Sequence, residues 1–294
     1  MRTSFRNRLT IFLFCLPFAV GCQRNTKQKN NITSYLPPTY IEETDFFEFP
    51  VTKNEEPKTD GIWDVSEVDI SYVNPNRKLI SFTFDDAPSK TLENILAVFA
   101  HFNEENPDCI ATATVFANGK LIDENALSIL HTAVVLGFEL GNHTQSHLDL
   151  TTLSQENLQE EIHATDELLS RIDGKKRHLL RAPFGRLNDS VKKTAEVPII
   201  DWTIDTLDWT GKSEEDIFNT VENEKFSGAI VLMHDGYSAT VGALKRLLPA
   251  LKEKNFQVVS VSALAKAHGC NLSNGKVYIR ARKNKNAPPV YELN

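Results

Sequence analysis

The chain has 294 residues, of which 41% are hydrophobic and 24% charged, a composition typical of a globular protein with one large or two small domains. Its formal net charge of −7 argues against nucleic acid or anionic lipid headgroups as charge-driven partners. The four cysteines form no disulfide framework and no zinc signature, although a bond between Cys109 and Cys270 would be compatible with export.

The N-terminus has the layout of an export signal. Three arginines precede an apolar run from Leu9 to Val20, which is shorter than the roughly 20 residues needed to span a bilayer. Cys22 follows Ala-Val-Gly, a sequence that resembles a bacterial lipoprotein cleavage box, in which the cysteine is lipidated and becomes the new N-terminus. We therefore expect a lipoprotein-type signal peptide over 1–21 and an exported, membrane-anchored protein. Simple secretion and an uncleaved anchor are the alternatives.

Two kinds of segment follow the signal. Residues 22–76 are polar with little periodicity, which predicts a tether and lead-in that is partly disordered. From Lys78 onward, strand-like and helix-like segments alternate. The helix candidates are 89–102, 123–134 and one that begins at the N-cap Ser154 and ends at Gly174. The strand candidates are 79–84, 112–116, 138–142, 178–183, 198–204, 229–235 and 256–261.

This alternation predicts an α/β fold of parallel strands built from βαβ units. Seven units favour a closed barrel over an open sheet, and no glycine-rich phosphate-binding motif follows any strand. In a parallel barrel the chemistry gathers at the carboxyl ends of the strands. Polar residues stand at these ends: Asp85-Asp86, Asn142-His143, Arg181, Asp205 to Asp208, and His234-Asp235.

His143 and His147 form a candidate metal-binding pair. Their spacing of four residues allows two imidazoles to share one face of a helical turn, although a surface or core histidine pair is the alternative. A carboxylate from Asp85-Asp86 would complete a His-His-Asp set with positions left for water and substrate. Such a set suits a divalent metal ion, with zinc preferred and cobalt, nickel or iron also acceptable.

Five short sequences now carry a resemblance. TFDDAP, HTQSH, RAPFG, DTLDW and LMH, in this order, resemble the five motifs of the polysaccharide deacetylase family, carbohydrate esterase family four. The resemblance covers residues 77–268 and implies a distorted (β/α)7 barrel of parallel strands. Residues 269–294 lie outside it and form a C-terminal tail that either adds a strand or is simply basic.

The resemblance implies a role for each motif residue. Asp86 would join His143 and His147 as the third metal ligand, while Asp85 would be the general base and Arg181 its ion-pair partner. His234 would be the general acid that protonates the leaving amine, and Asp208 would orient it.

Three further residues would bind substrate. The backbone N–H of Phe184 would contact the oxyanion, and Trp209 with Leu232 would wall an apolar pocket for the acetyl methyl group, although without the motifs both would be interpreted as core. The family pattern has glycine at Ala87 and commonly tyrosine at Phe184. Phenylalanine keeps the backbone N–H, and alanine would be strained only if its φ were positive.

The sequence thus predicts a metal-dependent hydrolase that removes N-acetyl groups from polysaccharide containing N-acetylglucosamine, such as peptidoglycan, a chitin-like oligomer or an exopolysaccharide. An O-acetyl polysaccharide esterase, such as an acetylxylan esterase, and an inactive cell-wall-binding lipoprotein are the alternatives. The expected partners are acetylated polysaccharide and a membrane reached through lipidated Cys22. We expect no nucleic acid partner and a monomeric chain.

Overall fold

The computed structural model describes residues 61–281. The predicted signal peptide, Cys22, and the parts of the tether and tail at 22–60 and 282–294 lie outside the described residues. Within the described range, no helix combines the length and apolar character that crossing a membrane requires.

Short strands and amphipathic helices alternate along the described chain. The strands are β1 (Ile62–Trp63), β2 (Lys78–Ala87), β3 (Thr114–Ala117), β4 (Glu139–Asn142), β5 (Ile199–Ile200), β6 (Ile204–Asp205), β7 (Ile230–His234), β8 (Phe256–Val259), β9 (Leu272–Ser273) and β10 (Val277–Tyr278). The helices are α1 (Leu92–Glu105), α2 (Glu124–Val135), α3 (Gln155–Asp173), α4 (Asp189–Ala195), α5 (Glu214–Glu224), α6 (Ser238–Glu253) and α7 (Val261–His268).

The central sheet closes into a ring of parallel strands. Its hydrogen-bonded order is β4-β3-β2-β7-β6, and β8 pairs with the first half of β2, at Lys78–Ser81. Leu180 forms parallel bridges to Asn142 at the end of β4 and to Ile199 in β5. Because β5 and β6 are consecutive and β6 pairs with β7, the ring returns to β2. The predicted α/β fold, a distorted barrel of seven β/α units, is confirmed.

Strand β2 shows how the sequence fills this barrel. Ile80, Phe82 and Phe84 are fully buried in the core that the sheet shares with the surrounding helices, where Phe84 meets Phe99 of α1 edge to face. The intervening residues of β2 are polar and equally buried, and they project to the opposite face because side chains alternate along a strand. One face of β2 therefore packs in the core, and the opposite face carries a row of buried polar groups that ends at the carboxyl end of the strand.

Two strand predictions differ from the structure. Residues 178–183 were expected to form a strand, but only Leu180 makes sheet bridges. Residues 198–204 were expected to form one strand and instead form β5 and β6. The reason lies in Arg181, whose guanidinium donates hydrogen bonds to the carbonyl oxygens of Ile200 (2.9 Å) and Asp201 (3.2 Å). These two carbonyl oxygens therefore bond to a side chain instead of to a neighbouring strand between β5 and β6.

The helix ends follow their local signals. Ser154 caps α3 by accepting a hydrogen bond from the N–H of Asn157, and Gly174 ends that helix at φ +75°. Asp123 caps α2 in the same way. The remaining predicted helix begins at Leu92 rather than Ser89, because Ser89 turns its backbone N–H and hydroxyl toward Asp235.

The packed region extends beyond the predicted limits of 77 and 268. Strand β1 pairs with β9, and β10 extends the sheet beside β5, so the described part of the tail adds strands. In the lead-in, the hydroxyl of Tyr72 lies 2.8 Å from that of Thr112. Cys109 and Cys270 are both buried and are not joined to each other.

Candidate active site

Two adjacent carboxylates converge at the end of β2, although neighbouring side chains on a strand normally point to opposite faces. Asp86 breaks this alternation because its backbone is left-handed, with φ +60°. As a result, Asp85 Oδ2 and Asp86 Oδ1 each lie 3.7 Å from Nε2 of His143. The turn thus aims both acids at the same imidazole.

Asp86, His143 and His147 form a set that fits a metal ion. One ligand atom from each lies within 4.8 Å of the others, and Asp86 Oδ1 is 3.3 Å from Nε2 of His147. His143 Nδ1 lies 2.8 Å from the carbonyl oxygen of Arg181, so Nδ1 carries the proton and donates, which leaves the Nε2 lone pair facing Asp86. Two imidazoles and one carboxylate are the donor set expected for zinc or a similar divalent ion.

The histidines converge through a loop rather than through the helical turn that their spacing suggested. Thr144 and His147 are both left-handed, with φ of +68° and +55°. Helix α3 supports this loop, because Glu161 accepts hydrogen bonds from the backbone N–H of Gln145 and of Ser146, at 2.8 and 2.7 Å. The loop is therefore fixed by the helix beneath it.

Asp85 is held by a buried arginine. Arg181 Nη1 donates to Asp85 Oδ1 and to Thr83 Oγ1, both at 2.7 Å, and its guanidinium stacks on the ring of Phe116. Burial alone would raise the pKa of Asp85, but the positive charge of Arg181 and the hydrogen bond that it donates oppose this effect, and the pKa lies below its usual value. The carboxylate is therefore ionised and free to accept a proton at Oδ2.

Thr83 was missed in the sequence, although strand alternation gave a signal for it. It lies two residues before Asp85 on β2, so both side chains share the inner face of the strand. A hydroxyl at this position holds the same guanidinium nitrogen that holds the candidate base.

His234 stands at the end of β7, beside Asp85 in the sheet register. Its Nδ1 lies 2.7 Å from Asp208 Oδ1, and Asp208 Oδ2 accepts from the His234 backbone N–H at 2.8 Å and from Thr240 Oγ1 at 2.7 Å. Burial would lower the pKa of His234, but the hydrogen bond to Asp208 and the charge of Asp85 raise it above 6.5. Thr240 was also missed, because nothing in the sequence connects it with Asp208.

The three predicted substrate-binding residues occupy different environments. Phe184 is 61% exposed, and its ring contacts that of His147 edge to face at 4.7 Å between centroids. Trp209 is 53% exposed, so it is not the core residue that its type alone suggested, whereas Leu232 is 3% exposed in β7. Asp205 is the last residue of β6, and its Oδ1 accepts the backbone N–H of Leu207.

Comparisons with known proteins agree with this geometry. The profile of the family described as polysaccharide deacetylase matches residues 72–197. A peptidoglycan-N-acetylglucosamine deacetylase of Bacillus cereus is 34% identical over 206 residues, which cover 64% of this chain and 89% of that protein. The peptidoglycan-N-acetylmuramic acid deacetylase PdaC of Bacillus subtilis is 30% identical over 65% of this chain, but this chain spans only 40% of its length.

Similarity extends to a solved structure. The Xyl-CE4 domain of a multidomain xylanase from the hindgut metagenome of Trinervitermes trinervoides superposes with a TM-score of 0.65 and 30% identity, covering 70% of this chain and 98% of that one. The match covers nearly all of the xylanase domain, which has the same fold, and 89% of the length of the Bacillus cereus deacetylase. The candidate metal ligands, the buried acid with its arginine and the histidine with its aspartate thus lie in a chain that belongs to the polysaccharide deacetylase family, carbohydrate esterase family four.

Proposed function

We propose that this protein is a metal-dependent hydrolase that removes N-acetyl groups from N-acetylglucosamine-containing polysaccharide, with peptidoglycan as the first substrate to test. The observation that carries the proposal is the convergence of two adjacent carboxylates on one imidazole, with Asp86 inside the candidate ligand set and Asp85 beside it on Arg181. The names of the two Bacillus relatives support a peptidoglycan substrate.

Asp86, His143 and His147 would hold the metal ion, zinc in the first instance. When bound, such an ion supplies Lewis acidity, which acidifies water and polarises an acyl carbonyl. Asp85 accepts the proton of the attacking water at Oδ2, because Oδ1 is occupied by Arg181. Arg181 keeps this base ionised and fixes its direction.

Other residues of the site would serve the leaving amine and the acetyl group. His234 Nδ1 is held by Asp208, so its Nε2 is the nitrogen that donates a proton to the departing amine. The backbone N–H of Phe184 stabilises the negative charge that develops on the carbonyl oxygen. Trp209 and Leu232 enclose the acetyl methyl group.

Asp85→Asn and His234→Ala are expected to lower the rate of acetate release from N-acetylglucosamine oligomers about 100- to 10,000-fold, the usual contribution of a general base or acid. Asp205→Asn is the matched control, because Asp205 lies at the end of the neighbouring strand β6 and asparagine keeps the Oδ1 that accepts the Leu207 N–H. Removal of metal with a chelator is expected to abolish turnover, and added zinc or cobalt to restore it. Full turnover after complete chelation would contradict the metal role.

Asp208→Asn is expected to lower the pKa of His234, because it removes the charged hydrogen-bond acceptor that opposes the effect of burial. The raised pKa means that His234 favours the folded state below pH 6.5 and loses this contribution as the pH rises through its folded-state pKa. Thr240→Val is the control, because it removes a donor to Asp208 but leaves the carboxylate charge in place. NMR titration of the His234 ring measures the shift, and an equal pKa in wild type and Asp208→Asn would disprove the assignment.

An O-acetyl esterase is the second candidate, and the similarity to a domain of a multidomain xylanase favours it. Side-by-side kinetics on N-acetylated chitooligosaccharides and acetylated xylan separate the two. We expect a higher kcat/KM on the amide substrate and a larger loss with His234→Ala on that substrate, since a leaving amine needs protonation more than a leaving alcohol does. A reversed preference would identify an esterase.

We also propose export and anchoring through Cys22, on the strength of the apolar run and the cleavage-box resemblance. Cys22→Ser in the full-length chain is expected to abolish incorporation of labelled fatty acid and to move the protein out of the membrane fraction. Cys15→Ser, within the segment predicted to be removed, is expected to change neither. Recovery of unlabelled wild-type protein from the medium would favour simple secretion.

A further inference from the structure

A second cluster of buried charged groups lies behind the candidate metal site. His178 is almost fully buried, with its Nδ1 2.9 Å from Asp166 Oδ1 and its Nε2 3.1 Å from Asp173 Oδ1. Both aspartates belong to α3 and are themselves buried. None of the three is part of the chemistry described above.

The geometry makes His178 an imidazolium. A neutral imidazole has one N–H, whereas each ring nitrogen here faces a carboxylate oxygen that needs a donor. Burial would lower the pKa of His178, but the hydrogen bonds to Asp166 and Asp173 raise it to about 9. Two cations sit farther out, with Arg177 Nη1 3.8 Å from Asp166 and Lys175 Nζ 3.4 Å from Asp173.

Asp166 links His178 to the loop that carries His143 and His147. Its Oδ1, held by His178, also accepts from Asn142 Nδ2 at 3.0 Å, and Nδ2 donates as well to the carbonyl oxygen of Ile162 at 2.8 Å. The Asn142 side chain is thereby oriented with Oδ1 toward the loop, where it accepts the backbone N–H of Thr144 at 2.8 Å. Thr144 is the left-handed residue that directly follows His143.

We propose that His178 is a positioning residue for the candidate metal-binding loop and acts through Asp166 and Asn142. This inference rests on the metal site of the proposed function. With His178 charged, Asp166 is fixed between two donors and Asn142 keeps Thr144 in the conformation that turns His143 and His147 toward Asp86. Without that charge, two buried carboxylates on α3 lose their shared donor, and the support beneath the loop loosens.

Cobalt(II) affinity of the full-length protein at neutral pH, measured by competition with a chromophoric chelator, tests the proposal. We expect His178→Gln and Asp166→Asn to weaken binding about 10-fold or more, the usual effect of losing support behind metal ligands. His268→Gln is the control, because His268 is a buried histidine at the end of α7 whose Nδ1 contacts the carbonyl oxygen of Ala281 rather than the loop. It is expected to bind cobalt within about twofold of wild type.

A measurement on the wild-type protein needs no variant that folds. In the metal-free state, the side-chain amide of Asn142 and the backbone amide of Thr144 are expected to shift as His178 titrates near pH 9. If both resonances stay unmoved, or if His178 titrates at its ordinary pKa, the link is disproved.

The affinity data distinguish the positioning role of His178 from the metal site itself. Equal cobalt affinity in wild type, His178→Gln and Asp166→Asn would overturn the positioning role and leave the metal site standing. Absence of cobalt binding by the wild type would overturn the metal site and the positioning role together.

Discussion

The buried guanidinium of Arg181 is the interaction on which the candidate site depends. It is fully buried and lies within the ring of strands, where an unpaired charge would be strongly unfavourable. Hydrogen bonds to Thr83, Asp85, Ile200 and Asp201 offset that cost. Removing one partner of such a buried pair typically lowers the free energy of unfolding by about 3–5 kcal/mol. Arg181 and Asp85 therefore depend on each other for their stability in the folded protein.

Arg181 also contacts both the candidate base and one candidate metal ligand. Its guanidinium orients Asp85, while its own carbonyl oxygen accepts from His143 Nδ1 and its N–H donates to the carbonyl of Asn142. The main chain at this residue thus fixes the ring position of one candidate metal ligand, and the side chain fixes the candidate base. Regular pairing ends at this residue because its carbonyl oxygen accepts from a side chain, His143 Nδ1, and its guanidinium donates to the carbonyl oxygens of Ile200 and Asp201.

The charge of Arg181 affects the pKa values of two nearby buried acids, Asp85 and Asp201, to different extents. Asp85, in contact with Arg181, has a lowered pKa despite being buried. Asp201 is also buried, but its side chain is not hydrogen-bonded to the guanidinium, and burial together with the charge of Asp85 raises its pKa to about 6. The geometry therefore gives the direct contact with Arg181 to Asp85 and not to Asp201. Asp86, whose side chain is 42% exposed, instead faces the imidazoles of His143 and His147.

Much of this arrangement could be predicted from local patterns. Periodicity located the principal strands, Ser154 and Gly174 marked the ends of α3, and polar residues at strand ends located the site. The left-handed backbone at Asp86 and His147 could not be predicted, because only a small fraction of non-glycine residues adopt it, even though Asp and His do so more often than most, and no glycine marks the turns. The roles of Thr240 and of Asn142, which was noted only as a polar residue at a strand end, could not be predicted either, because both roles arise from contacts between distant segments.

The positions of these left-handed residues bear on whether the site is active. In this chain the left-handed backbone near the end of β2 falls on Asp86. Ala87 is a buried strand residue without positive φ, so alanine in place of the family's glycine has no backbone cost there. Phe184 does have a positive φ of +62°, but tyrosine would be strained equally, and the backbone N–H is the same in both. The two departures from the family pattern thus leave the ligands, base and acid in place, and they give no physical ground for regarding the protein as an inactive binding module.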